Sequence, residues 1–308
     1  MSKRLGIRVG VLGCGKMGSA MIERLTAMGH GVVAWNRSGQ RAIQAAEKCV
    51  QERPSSRVLV AATPRHAMSA LSYSEESAVA IVMVTDCEAA QAMLKDLEIP
   101  ANVVVANLTS GSPTDGRRTA EVVKGAYIDG AYCGPPEAAR SGSGQVFVSG
   151  SEADYEAAKD VLGNLGRVRF LAGPVGASRA LDYAVVDLAF VNLVSFCASA
   201  AMLEKEGVEW EVFCEEAESR LAATPVALRL AADRMRREVD YHEDQVATLK
   251  TWRHFWASRI PYFREADLAE PHLARFAVDL LDKAGAQDPS LADSDITRLQ
   301  EVFTNKGK

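Results

Sequence analysis

Residues Gly13-Cys14-Gly15-Lys16-Met17-Gly18 carry the spacing GxGxxG between an apolar run, Ile7–Leu12, and an amphipathic stretch. This pattern suits a bound pyrophosphate. The first glycine permits a tight turn, the second lets the backbone approach the phosphates, and the third lets helix and strand pack closely. Helix N-terminal N–H groups then face the anion. Met17, Ala20, Met21, Leu25 and Met28 recur at helical spacing, and Gly29-His30-Gly31 closes the helix. A second strand, GVVAW, ends at Trp35. An acid there would hold the ribose hydroxyls of NAD, but this chain has Asn36-Arg37-Ser38, with Arg41 a turn later. An acid repels a 2′-phosphate, whereas Arg and Ser bind one, so the motif reads as an NADP(H) site.

Three further stretches carry polar groups in useful places. Asn107-Leu108-Thr109-Ser110-Gly111-Ser112-Pro113 ends the fifth candidate strand. Asn107 and Thr109 there can hydrogen-bond a carboxamide, a ribose or a substrate, while Ser112 caps a helix beginning at Pro113. Asp129-Gly130-Ala131-Tyr132-Cys133-Gly134-Pro135-Pro136 reads as a loop that walls a pocket. In it, Tyr132 is either a proton donor or a tyrosine packed at an interface. Gly173 to Asp182, GPVGASRALD, leads into a long apolar helix. Asp182 is either a catalytic acid or the partner of Arg179 in an exposed i, i+3 ion pair. Its apolar neighbours Ala180, Leu181, Ala184, Val185 and Val186 argue for the first. Asp187, five residues on, points well away.

The elements that must position these groups alternate in the first half. Candidate strands are Ile7–Leu12, Gly31–Trp35, Arg57–Ala61, Val79–Val84, Val103–Asn107 and Ala126–Asp129. Two short ones, Gln145–Ser149 and Val168–Leu171, are joined by a helix from about Glu152 to Leu165. This is the βαβ pattern of a doubly wound α/β sheet, with functional loops at the carboxyl ends of the strands. After Gly173-Pro174 the chain reads as helices alone, punctuated near Gly207, Pro225, Pro261 and Gly285. The first, about 176–205, is long enough to join both halves. The expected domains are 1–173, Rossmann-type, and 174–308, all-helical.

The 308 residues can hold two cores. A hydrophobic content of 48%, a charged content of 24% and a net charge of −5 describe a soluble protein without a nucleic-acid footprint. The six cysteines are scattered, with no CxxC pair or Cys/His cluster, which argues for reduced thiols and against a metal site. Ser2-Lys3-Arg4 run almost directly into a strand, leaving no room for a signal peptide, so a cytoplasmic location is expected. Ala184–Leu203 is long enough to span a bilayer, but Asp187 and Asn192 interrupt it. A helix buried between domains or subunits is the preferred reading.

The order of fingerprint, DGAYCGPP stretch and glycine-rich helix start resembles the β-hydroxyacid dehydrogenases. That family has a catalytic lysine where this chain has Asp182, and an asparagine one turn later where it has Val186. The departures resemble a sister family, the NADPH-dependent imine reductases and reductive aminases. These carry Asp (or Tyr) at that helix position, NLTSG-type residues after the fifth strand and an N-R-S/T cofactor motif. All three occur here, as Asp182, Asn107–Gly111 and Asn36–Ser38.

The resemblance implies NADPH as cofactor, with Val84 and Thr85 joining the glycine motif, Asn36, Arg37, Ser38, Arg41, Asn107 and Thr109 in holding it. It implies Asp182, Asn107 and Tyr132 as catalytic residues. Tyr183, Phe190, Trp252 and Trp256 would line a pocket for a small-molecule imine, or a carbonyl plus an amine. Phe190 stands where many reductive aminases have tyrosine. Trp252, Phe255 and Trp256, at i, i+3 and i+4, form either an aromatic wall or a core stripe. A homodimer through the helical domain is expected. The expected reaction is hydride transfer to a C=N bond, with anionic Asp182 favouring the protonated substrate. Two other readings stay open: a lysine-less β-hydroxyacid dehydrogenase relative, and an NADP(H)-binding sensor or scaffold without turnover.

Overall fold

Runs of Val, Ile and Ala that are apolar on both sides of the strand suit a sheet covered on both faces. The computed structural model describes residues 7–74, 76–237, 247–266 and 272–304; Ser2-Lys3-Arg4 lie outside them. The strands are β1 (Ile7–Leu12), β2 (Gly31–Trp35), β3 (Arg57–Val60), β4 (Ala78–Val82), β5 (Val103–Asn107), β6 (Ala126–Cys133), β7 (Gly144–Gly150) and β8 (Gly166–Leu171). They form one sheet in the order β3-β2-β1-β4-β5-β6-β7-β8. Strands β1 to β6 are parallel, β7 runs antiparallel to β6, and β8 is parallel to β7. The sheet order reverses direction between β1 and β4, which creates a crevice at their carboxyl ends.

Strand alternation sorts side chains onto two cores. Val9, Val11, Val79, Ile81, Val104, Ala106 and Ile128 face helices α1 (Lys16–Ala27), α2 (Gly39–Glu52), α6 (Pro136–Ser141) and α7 (Glu152–Gly163). Leu12, Ala80, Val82, Val103, Val105 and Tyr127 face α3 (Pro64–Ser72), α4 (Cys87–Leu94) and α5 (Pro113–Val122). The start of α5 is as its sequence implies. Ser112 Oγ accepts from Asp115 N at 3.1 Å, and Asp115 Oδ2 accepts from Ser112 N at 2.9 Å, a reciprocal cap.

Beyond β8 the described residues form no further strand. Helix α8 (Ala177–Lys205) is followed by α9 (Trp210–Ala222), α10 (Thr224–Arg237), α11 (Leu249–Ala257), α12 (Arg259–Glu265), α13 (His272–Gln287) and α14 (Leu299–Thr304). Gly207, at φ +68°, ends α8 as expected. Pro261 does not interrupt a helix. It lies in the first turn of α12, where a missing N–H costs no intrahelical bond. Gly285 lies inside α13 rather than at its end.

The chain divides into two compact units, Met1–Leu188 and Ala189–Lys308. The division falls inside α8, later than the boundary read at residue 173, because the first turns of α8 are bonded to the sheet. The second unit has its own core of Leu249, Leu281, Ala284, Leu291 and Val302. By length and composition α8 could cross a membrane, and only 6% of its most apolar window is buried. The single chain therefore does not supply the cover expected for this helix.

The bonds at the start of α8 centre on a buried ion pair. Arg179 Nε lies 2.8 Å from Asp129 Oδ1, with side-chain exposures of 1% and 0%. Replacing Asp129 by alanine leaves that guanidinium buried without its counter-charge, and should lower stability by about 3–5 kcal/mol. Urea denaturation measures this; a loss under about 1 kcal/mol would show that the pair is not the anchor described.

Candidate active site

Each glycine of the fingerprint has its own steric reason. Gly13 has φ +114°, and a Cβ there would lie 2.0 Å from Met83 O. A Cβ on Gly18 would lie 1.8 Å from Gly13 O, so the third glycine lets α1 pack against the turn. A Cβ on Gly15 would meet nothing within 4 Å. That opening sits at the N-terminus of α1, where no side chain caps the free N–H groups. The backbone thus presents donors to open space, the fit a pyrophosphate requires. Lys16 is exposed beside it.

The other residues of the fingerprint face inward. Cys14 is buried, its Sγ lies 3.5 Å from Trp35 O, and burial pushes the thiol up to about 12. Met17 packs against the core. Asn36 holds the turn itself: its Oδ1 accepts from Cys14 N at 2.9 Å and its Nδ2 donates to Ser38 O at 3.0 Å. Cys14, Met17 and Asn36 therefore shape the turn. Arg37, Ser38 and Arg41 are exposed. They can receive a phosphate at the end of β2.

The loops after β4 and β5 meet beside this turn. Val84 N donates to Thr109 Oγ1 at 3.2 Å, and Thr109 Oγ1 is 3.4 Å from Val82 O. Thr85 is exposed in the same loop. Asn107 is fully buried: Oδ1 accepts from Thr109 N and Nδ2 donates to Tyr127 Oη, both at 3.2 Å. The side chains of Asn107 and Thr109 are thus committed to the scaffold. Neither side chain is exposed to the crevice, so a ligand contact through them is not seen here.

Asn107 is one end of a buried chain of polar groups that sequence reading missed. Tyr127 Oη donates to Asp129 Oδ1 at 3.2 Å. Asp129 Oδ2 accepts from Gly176 N at 3.1 Å and from Ser178 Oγ at 3.3 Å. Ser178 Oγ is also 3.0 Å from Ser149 Oγ. Arg179 Nη1 donates to Thr109 O at 2.6 Å. Arg179 is therefore not the partner of Asp182 in an exposed pair; it is buried against Asp129. The signal available was a carboxylate within the apolar run of β6, which needs a partner if it is inside.

One helical turn beyond Arg179 stands Asp182. Its Oδ1 is buried and has no hydrogen-bond partner among the described residues. Burial pushes its carboxyl above the ordinary carboxylate range, opposed by the charge of Arg179 and by the nearby Cys133 thiol. A desolvated carboxyl with an open acceptor can hold or exchange a proton with a basic ligand atom.

Tyr132 does not join it. The stretch read as a loop is strand: β6 continues to Cys133, with Tyr132 opposite Val146 of β7. Alternation puts Asp129 and Cys133 on one face and Tyr132 on the other. There Tyr132 packs in the α1 and α7 core, and its hydroxyl donates to Leu165 O at 3.3 Å. Tyr183 and Phe190 are exposed on α8, Phe190 at 63%. Trp252 and Trp256 pack against Leu249, Leu281 and their neighbours in the second unit's core. They are the core stripe, rather than a free wall. Arg259 lies 3.7 Å above the Phe255 ring.

Residues 8–173 match the family described as the NAD binding domain of 6-phosphogluconate dehydrogenase. An uncharacterized oxidoreductase of Shewanella frigidimarina is 26% identical over 179 residues, covering 56% of this chain and 57% of that protein. The chain thus matches little more than half the length of this curated relative. A reductive aminase from Aspergillus terreus, solved with NADPH and ethyl levulinate, superposes with a TM-score of 0.80 at 22% identity. It covers 96% of this chain and 99% of its own. An imine reductase from Myxococcus stipitatus, solved with NADP+, gives 0.78 at 21% identity, covering 96% and 99%. These two likenesses establish a shared fold.

The glycine geometry separates a packing role from a binding role. Gly18→Ala forces a Cβ into backbone and should cost about 3 kcal/mol of stability. Gly15→Ala should leave stability within about 0.5 kcal/mol while weakening dinucleotide binding at least tenfold. Thermal unfolding and fluorescence titration of both variants check this; unchanged binding in Gly15→Ala would remove the opening from the site.

Proposed function

This chain belongs to the family of the NAD binding domain of 6-phosphogluconate dehydrogenase, and we propose that it is an NADPH-dependent oxidoreductase that reduces a C=N bond to an amine. The observation that carries the reading is the desolvated carboxyl of Asp182, with Oδ1 buried and unpartnered, where the β-hydroxyacid dehydrogenases have lysine. An acid that is anionic when unprotonated repels the carboxylate of a hydroxyacid and attracts an iminium. The reductive aminase and imine reductase that share the fold support the same choice.

The residues divide the work. The α1 N–H groups beside Gly15 hold the pyrophosphate, and Arg37, Ser38 and Arg41 hold the 2′-phosphate. Bound NADPH supplies the hydride that attacks the carbon of the C=N bond. Asp182 holds the nitrogen side of that bond and keeps it protonated, so the π electron pair moves to a nitrogen already positive. The product amine keeps that proton, and the net change consumes one hydride and one proton. Asn107, Tyr127, Asp129 and Arg179 position Asp182 and the loops without touching substrate. The exposed apolar length of α8 is covered by a second copy of this chain in a homodimer. The partners are a small-molecule imine, or a carbonyl plus an amine, and the setting is cytoplasmic, away from membranes and nucleic acid.

The cofactor assignment and the reaction are tested separately. Removing both guanidinium groups, in Arg37→Ala with Arg41→Ala, should weaken NADPH binding by about 10–100-fold, since a hydrogen bond to a charged group is worth about 1.5–3 kcal/mol, and leave NADH binding unchanged. Equal loss for both nucleotides would refute the 2′-phosphate site. NADPH consumption should occur with 1-pyrroline and bulkier cyclic imines, and Asp182→Asn should lower kcat by about 10²–10⁴-fold. Oxidation of hydroxyacids with NADP+ in place of imine reduction would sink the reading. Tight cofactor binding with no turnover of any C=N or C=O compound would favour a sensor.

A further inference from the structure

Beyond β4 the chain leaves the sheet through Met83, Val84 and Thr85, and the backbone groups of this loop must find partners of their own. Met83 N donates to Leu12 O at 2.9 Å. Val84 N lies one residue further on, and its acceptor is a side chain, Thr109 Oγ1 at 3.2 Å. The same hydroxyl donates to Val82 O at 3.4 Å. Thr109 is fully buried, and its backbone is committed as well. Its N donates to Asn107 Oδ1 at 3.2 Å, and its O accepts from Arg179 Nη1 at 2.6 Å. One residue therefore joins the loop after β4, the end of β5 and the first turn of α8. The loop in turn abuts the glycine turn: a Cβ on Gly13 would lie 3.2 Å from Val84 Cγ1 and would strike Met83 O.

We infer that Thr109 is a positioning residue for the dinucleotide: its hydroxyl sets the loop after β4 against the glycine turn, so that this loop meets the cofactor while Thr109 itself touches no ligand. This rests on the proposed cofactor site in the crevice. The role differs in kind from that of Arg37, Ser38 and Arg41, which act on a phosphate that NADH lacks. The loop after β4 lies where the sheet order reverses, beside the turn proposed for the pyrophosphate, a part that NADPH and NADH share. Valine has nearly the shape of threonine, so it keeps the packing and leaves Val84 N without its acceptor. Serine keeps the acceptor and gives up a methyl group. The bond to Arg179 is made by the backbone carbonyl of Thr109, so it survives either substitution, and the anchor of α8 with it. The hydroxyl thus serves the cofactor loop, and the carbonyl serves the helix.

The test follows one amide and two nucleotides. In nitrogen-15-labelled protein, hydrogen exchange read by NMR should be about tenfold faster at Val84 in Thr109→Val, the loss of one hydrogen bond. Leu108, whose N donates to Val82 O, should keep its rate. Fluorescence titration should show the Kd of NADPH and the Kd of NADH both rising about tenfold in Thr109→Val, and both returning towards wild type in Thr109→Ser. With 1-pyrroline, KM for NADPH should rise more than kcat falls. Unchanged Kd values in folded Thr109→Val would overturn the inference, as would an unchanged Val84 exchange rate. So would a loss that Thr109→Ser fails to restore, which marks the methyl group rather than the hydroxyl, or a loss confined to NADPH, which marks the 2′-phosphate site. If Thr109→Val does not fold, Thr109→Ala removes the same hydroxyl and is scored in the same way. Wild-type protein that binds neither nucleotide would remove the cofactor site itself; wild-type binding that Thr109→Val leaves intact removes only the role of Thr109.

Discussion

The buried contact between Asp129 and Arg179 is the constraint on which the candidate site depends. Two opposite charges removed from water are tolerated only when each is also hydrogen-bonded. Asp129 meets this condition through Tyr127, Gly176 and Ser178, and Arg179 through Thr109 O. These bonds join β6, the loop after β5 and the first turn of α8. They fix where α8 starts, and hence where its next turn places Asp182. The network offers little stability beyond what apolar side chains of equal volume would give. Its effect is geometric: it ties the first turn of α8, the helix that carries Asp182, to β6 and the loop after β5.

The same logic bears on the proposed role of a carboxylate at position 182, where the β-hydroxyacid dehydrogenase pattern would put lysine. A lysine is long and brings its charge to the substrate from a distance. Asp182 is short, so the helix beneath it must be placed closely, and its neighbours must tolerate a partly desolvated acid. Arg179 and Cys133 lower the cost of ionising it without occupying Oδ1. The proposed chemistry of the site thus rests on how charge is distributed around one oxygen.

Much of this was legible in the residues. The glycine spacing named three distinct backbone needs, and Gly13, Gly15 and Gly18 meet a clash, an opening and a clash in that order. The alternation of strands with amphipathic helices gave the sheet, and Ser112 gave the cap of α5, because both signals are local. What escaped were pairings distant in sequence. Arg179 was read against its helical neighbour Asp182, although its partner lies on β6. Tyr132 was assigned to a loop, since nothing local announces that β6 continues to pair with β7 as far as Cys133. Once the strand is extended, alternation turns Tyr132 away from Asp182. The spacing of Trp252 and Trp256 suited a core stripe as well as a pocket, and they pack against the core of the second unit.

The central claim is that Asp182 holds the substrate nitrogen in its protonated form. A nitrogen-15-labelled cyclic imine bound to the protein with NADP+, where no hydride can be delivered, reports that state through its chemical shift. The account predicts a protonated nitrogen in the wild-type complex above the imine's own solution midpoint, and a neutral one in Asp182→Asn. The same protonation state in both complexes would contradict it.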